Sequence, residues 1–181
     1  FRRVAEPPGW GKNTFFNGAE SGGGLFDVHI HDTDFVQYCF GRPRSVFATG
    51  YVKFSGAIDH VVTQYEVASG AIVHAEGTWA MSPGFGFNMS YTVNFERATA
   101  DYDIARGKES LRLSMAGETG QGSQVITCEG ADGYVGELKH FVECARAGQA
   151  PTVVNAQDGL ASVEICEAEE RSVKERQIVV L

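Results

Sequence analysis

Gly22-Gly23-Gly24-Leu25-Phe26-Asp27-Val28-His29-Ile30-His31-Asp32-Thr33-Asp34, running on to Phe40, decides how this 181-residue chain is organised. Leu25, Val28, Asp32, Phe35, Val36 and Cys39 recur at helical spacing, with Asp32 interrupting the apolar stripe; Gly41 and Pro43 supply the stop. Phe26, Val28 and Ile30 also alternate with Asp27, His29 and His31, as they would on a strand. The pattern continues through Phe40, which is long for a strand, so a helix is expected over 25–40. On a helix Asp27 and His31 stand four apart and share a face, which Asp34 and Tyr38 extend. A carboxylate beside an imidazole fixes its tautomer and raises its pKa, which suits a proton acceptor near neutral pH. A solvated helix N-terminus whose acids are favoured by the macrodipole accounts for the same residues equally well. The glycine run lets the backbone pass close either to a ligand or to another chain segment.

Outward from this stretch, 1–24 reads as an irregular lead-in containing Pro7-Pro8, with Trp10 and Phe15-Phe16 as its apolar anchors. Downstream, β-rich runs cover 45–54, 61–67, 71–80, 87–95, 98–104 and 111–115, with a hairpin signal at Ser69-Gly70. Short turns between them argue for an antiparallel meander. A helix then carries Tyr134, Leu138, Phe141, Val142 and Ala145 on one face, with Asp132 as N-cap. A second follows, capped by Asn155 or Asp158, with Leu160, Val163 and Cys166 inward; Gln177 to Leu181 forms a last strand. Glu143, Glu164, Glu167, Glu169 and Glu170 read as solvated helix faces. The expected class is α+β: a large, mostly antiparallel open sheet with helices packed on one face. The other face is expected to be apolar and to associate with a partner or with a second copy, a homo-oligomer through the open sheet face.

Hydrophobic residues make up 43% and charged residues 21%, as in a folded globular protein. A formal net charge of −8 speaks against nucleic acid, whose binding needs clustered Lys and Arg. No apolar run is long enough to span a bilayer, and 1–10 lacks the core of a signal peptide. A chain beginning at Phe1 reads as part of a longer one. Cys39, Cys128, Cys144 and Cys166 form no C-x-x-C and are expected to be reduced and buried, which suits the cytoplasm. Gly117-x-x-Gly120-x-Gly122 lacks the order and the βαβ setting of a dinucleotide fingerprint. Read as a strand, Asp27-x-His29-x-His31 resembles the D-x-H-x-H zinc motif of amidohydrolase barrels, the mark of a metal-dependent hydrolase. That fold needs about 250 residues and further metal ligands at later strand ends.

The Gly22–Asp34 stretch resembles the G-G-G…D-x-x-x-H-x-x-D signature of the Gfo/Idh/MocA oxidoreductases, the glucose-fructose oxidoreductase and inositol dehydrogenase family. The resemblance continues in order through Pro43-Arg44-Ser45-Val46, Ala48-Thr49-Gly50, the hairpin over 59–81, and Tyr134-x-x-Glu137-Leu138-x-His140-Phe141-Val142. It ends with Asp158-Gly159-Leu160-Ala161 and Arg176-Gln177-Ile178-Val179. It implies a C-terminal domain over 1–181, of the dihydrodipicolinate-reductase-like kind, that binds substrate and assembles the oligomer. An N-terminal Rossmann domain, absent from this chain, would hold NAD or NADP and carry the E-K-P lysine, so the fragment alone would be inactive. The substrate would be a sugar, inositol or related polyol. Asp27 and His31 match the family's catalytic pair: His31 would accept the carbinol proton while hydride leaves, and Asp27 would orient it. Trp10, Lys12 and His29 are the expected substrate contacts. A non-catalytic binding or scaffold domain of the same fold is the alternative.

Overall fold

The computed structural model describes residues 1–117, 122–127 and 133–181, and all their side chains except those of Lys12 and Asn13. The chain opens with β1 (Arg2–Ala5), the short helices α1 (Lys12–Phe15) and α2 (Gly18–Ser21), and a π-helical turn at Leu25–His29. That turn runs directly into α3 (Ile30–Phe40). Strands β2 (Ser45–Tyr51), β3 (His60–Glu66), β4 (Ile72–Thr78), β5 (Phe87–Asn94), β6 (Ala98–Asp103), β7 (Leu111–Met115) and β8 (Gln124–Val125) follow. Helices α4 (Gly133–Ala147) and α5 (Ala156–Glu175) and the strand β9 (Val179–Val180) complete it. The strands form one 9-stranded sheet in the order β8-β7-β6-β5-β1-β4-β3-β2-β9. The expected α+β architecture is therefore the observed one.

Each expected strand is present, but the meander is interrupted. Arg2–Ala5, read as lead-in, is a central strand, parallel to β4 and antiparallel to β5. A strand this short carries little pattern of its own. Its place is held by ladders on both edges, by complete burial of Val4, and by ion pairs from Arg2 to Glu76 (2.9 Å) and Arg3 to Asp32 (3.3 Å).

Helices α3 and α5 lie over β2–β4. Val36, Val46, Tyr65, Val73, Ala75 and Ile165 make one buried cluster, and Leu25, Ala48, Ile58, Val61 and Cys166 a second. Full burial of side chains such as Ile165 and Val61 stabilises by about 1.5–3 kcal/mol each. The Asn155 cap of α5 is reciprocal: its side chain accepts from the Gln157 and Asp158 amides, and Asp158 accepts from the Asn155 amide. The buried stripe of α5 is Ser162, Ile165, Cys166, Glu169 and Ser172, not the expected Leu160 and Val163, which are exposed. Hydroxyls can occupy that stripe because they are bonded: Ser162 donates to Asp34, and Ser172 accepts from the Ala48 amide at 2.9 Å.

Ladder register corrects the expected apolar outer face. Phe87, Met89, Tyr91, Val93 and Phe95 share the side that carries α3 and α5, through Arg3↔Met89 and Arg3↔Gly77. The opposite side of β5 and β6 carries Asn88, Ser90, Thr92, Asp101 and Asp103, tied by bonds such as Asn88 to Asp103 and Arg106 to Asp101. Among the described residues the exposed apolar side chains of the outer face are Phe47, Tyr51, Val62 and Ile72 on β2–β4, with Val125 and Val180 on the edge strands.

The apolar residues of α4 also differ from expectation, because Tyr134, Leu138 and Phe141 are exposed. Its expected cap Asp132, part of the 117–123 loop, and Cys128 lie outside the described residues. Cys144 and Cys166 are buried free thiols, whereas Cys39 is exposed. Among the described residues no helix is long and apolar enough to cross a membrane.

Candidate active site

The glycine run is resolved as a close approach of chain to chain. A Cβ on Gly23 would lie 2.6 Å from the Ile58 carbonyl oxygen, and one on Gly24 2.6 Å from that of Asp59. Leu25 donates its amide to the Ile58 carbonyl at 3.0 Å, so the start of the helix is pinned to the segment leading into β3. The following turn is π-helical, with the Ile30 amide reaching back to the Leu25 carbonyl. Such a turn winds more loosely than 3.6 residues per turn and brings residues four apart closer to one line. Asp27 and His31 accordingly line one cavity of about 580 Å³, with Arg3, Glu6, Trp10, Trp79, Phe87 and Tyr134 among its other walls.

Asp27 is half-buried and His31 exposed. Burial pushes the Asp27 carboxyl above the ordinary aspartate value, and the nearby His31 charge pulls it part of the way back. Asp32, one residue beyond His31, faces the sheet and pairs with Arg3. Burial pushes its carboxyl up as well, and Arg3 offsets only part of that.

Asp59 builds the cavity wall from behind. It is fully buried and accepts from the amides of Lys53, Phe54 and Ser55, the Ser55 hydroxyl and the Trp79 indole N–H. Burial alone would raise its pKa, but these donors together hold the carboxyl below the ordinary value. The Trp79 ring is thereby fixed; Phe15 packs edge-on against it, and Trp10 packs edge-on against Phe15.

Asp27, His31 and Trp10 are brought together at the cavity. Lys12 opens α1, and its side chain lies outside what is described. His29 does not join them. It is completely buried and faces α5 and the sheet, because two residues along the helical segment carry it close to half a turn away from Asp27. The same rotation separates His29 from His31, so the one-sided geometry of a D-x-H-x-H strand is not formed.

Sequence reasoning missed Arg3, Glu6, Trp79 and Phe87 in the cavity and Glu169 behind it. Arg3 and Glu6 sat in the supposed lead-in. Glu169 had one available signal: it lies three residues after Cys166 and seven after Ser162, on the stripe that proves to be buried.

A model of the GFO/IDH/MocA C-terminal domain matches residues 1–101. The chain is 26% identical over 169 residues to the myo-inositol 2-dehydrogenase of Thermotoga maritima, covering 89% of this chain and 50% of that protein. It is 28% identical over 152 residues to the scyllo-inositol 2-dehydrogenase (NAD(+)) of Bacillus subtilis, covering 80% and 44%. The chain thus spans about half the length of the curated relatives it matches. Among solved structures, a levoglucosan dehydrogenase in complex with NADH and levoglucosan superposes with a TM-score of 0.81, over 99% of this chain and 57% of that one. At 16% identity that likeness speaks for the fold.

Proposed function

Since the chain belongs to the GFO/IDH/MocA C-terminal domain family, we propose that it is the substrate-binding and assembly domain of an NAD(P)-dependent oxidoreductase acting on a CH–OH group of a sugar, inositol or related polyol. In this reading residues 1–181 form one C-terminal domain, preceded by a Rossmann domain that holds most of the cofactor. The observation that carries the reading is that Asp27 and His31 line one cavity together with aromatic side chains. The chain's likeness to two inositol dehydrogenases supports the substrate class.

NAD or NADP, when bound, supplies the hydride acceptor. The cavity fits such a partner: among its lining residues Trp10 and Phe87 are exposed and offer flat apolar surface to a nicotinamide ring presented from outside. Toward the polyol, the aromatic rings take the C–H faces while Glu6, Arg3 and Asp27 offer bonds to hydroxyls. His31 accepts the proton of the reacting hydroxyl at an imidazole nitrogen as its carbon is oxidised, and Asp27 orients the ring and stabilises the imidazolium. Holding the acid and the base on one helical segment sets their geometry before substrate enters.

The exposed apolar side chains of β5–β7 support docking of the Rossmann domain on the helix-bearing side. Phe47, Tyr51, Val62 and Ile72 support homo-oligomer contacts through the outer face. Buried free thiols at Cys144 and Cys166 suit a cytoplasmic setting.

The test is steady-state kinetics of the full-length protein with NAD or NADP and inositols or aldoses. His31→Ala and Asp27→Asn are each expected to lower kcat/KM by about 10²-fold or more, as loss of a general base or its orienting partner does. Losses within about threefold in both variants would refute the catalytic assignment.

A further inference from the structure

His29 lies midway between Asp27 and His31 yet points into the core. Its Nε2 is 3.1 Å from the Tyr65 hydroxyl and 3.4 Å from Glu169 Oε2. Thr33, one turn on, has its hydroxyl 3.0 Å from that of Tyr65 and donates to Glu169 Oε1 at 3.2 Å. His29, Thr33 and Glu169 are 0% exposed and Tyr65 2%. On the far side of the imidazole, β4 presents Gly77, where a Cβ would stand 2.4 Å from His29 Cβ and 2.6 Å from Nδ1. The ring is therefore held on one side by the sheet backbone and on the other by a hydroxyl and a carboxylate.

Stability does not require this arrangement. Taking a carboxylate and an imidazole out of water costs more than packing apolar side chains of the same volume. Here His29 Nδ1 and Glu169 Oε2 even lack a hydrogen-bond partner within normal distance. What the pair does supply is direction. His29 belongs to the π-helical turn and Thr33 to the first turns of α3, so bonds to both fix the rotation of the segment about its own axis. Asp27 and His31 sit on the opposite side of the same segment, so the rotation that buries His29 is the one that turns them to the cavity.

We infer that Glu169 is a positioning residue of the site: from α5 it holds His29 and Thr33, and through them it keeps Asp27 and His31 side by side on the cavity wall. This rests on the cavity being the reaction site, but the mechanical part can be read without turnover. Glu169 contributes no atom to the cavity wall and acts only through the helix.

The experiment uses the full-length protein, with two readouts. The first is kcat and KM for an accepted polyol. The second is the rate of His31 carbethoxylation by diethyl pyrocarbonate against pH, followed by peptide mass spectrometry, which needs no substrate because His31 is exposed. The double variant His29→Leu/Glu169→Leu removes both partners and leaves no orphaned charge in the core. It is expected to lose about tenfold or more in kcat with KM within about threefold, since small misplacements of reacting groups act on the chemical step. Its carbethoxylation profile is expected to change in the same direction that Asp27→Asn changes it. Glu169→Gln keeps an acceptor for Thr33 and a polar group for His29, and is expected to stay within about threefold in kcat with an unchanged profile.

A double variant with native kcat and native profile overturns the inference. So does one that loses activity only in step with its Tm, with no change in profile, because that is a purely structural role. If the double variant does not fold, Tyr65→Phe deletes one hydroxyl from the cluster and carries the same expectation at smaller size; an unchanged profile there overturns the inference equally. A native protein that turns over no polyol would remove the proposed function, while the profiles would still decide the positioning role.

Discussion

Strands β2–β4 and strands β5–β7 belong to one sheet and alternate in the same way, yet among the described residues α3 and α5 roof chiefly the first set. Over β2–β4, α3 and α5 bury Val46, Val61, Tyr65 and Val73 almost completely. On the same side of β5–β7, Phe87 is 53% exposed and Phe95 60%. Alternation therefore reports that a face is made to be buried, not what buries it. The candidate site lies at the seam between these halves: Asp27 and His31 come from the roofed side, and Phe87 from the unroofed one.

Stability measurements can break this contrast. In the 181-residue chain, Ile165→Ala in the roofed half is expected to cost about 2–5 kcal/mol through lost burial and the cavity it leaves. Phe95→Ser in the open half is expected to stay within about 0.5 kcal/mol of the native chain. Urea denaturation followed by the fluorescence of the buried Trp79 gives both values. Equal costs would mean that the two halves are stabilised alike.

Asp59→Asn sharpens the contrast with a smaller effect that depends on pH. Asp59 braces the roofed half, and its carboxyl is held below the ordinary value in the folded state. Its contribution is therefore fully present above the unfolded aspartate value, near pH 4, and is lost as pH falls through the folded one. The variant is expected to be about 1–3 kcal/mol less stable at neutral pH, with the gap closing in acid. A gap that does not change with pH would show that the donors around Asp59 do not depend on its charge.

How much of this was legible in the sequence follows from where each residue finds its partners. The helix over 25–40 could be read because its apolar repeat is local, and the glycine run could be recognised as a close approach before its neighbour was known. The strand Arg2–Ala5 could not, because its ladder partners lie more than 70 residues away and its own residues carry no alternation worth the name. Glu169 looked like one more solvated acid between Ala168 and Glu170. Its burial is set by Thr33, 136 residues distant in the chain, and by His29. The Asp27–His31 pairing was visible as a spacing. That His29 turns away, and that Arg3, Trp79 and Phe87 complete the cavity, depends on long-range packing that no local pattern encodes.

The most direct measurement is a crystal structure of the full-length protein with its nicotinamide cofactor and an accepted polyol. The account predicts the reacting hydroxyl in the cavity at the seam, within about 3.2 Å of a His31 imidazole nitrogen, with Asp27 beside the ring. A polyol seated on the polar outer face of the sheet, or one with His31 beyond reach even through a bridging water, would contradict it.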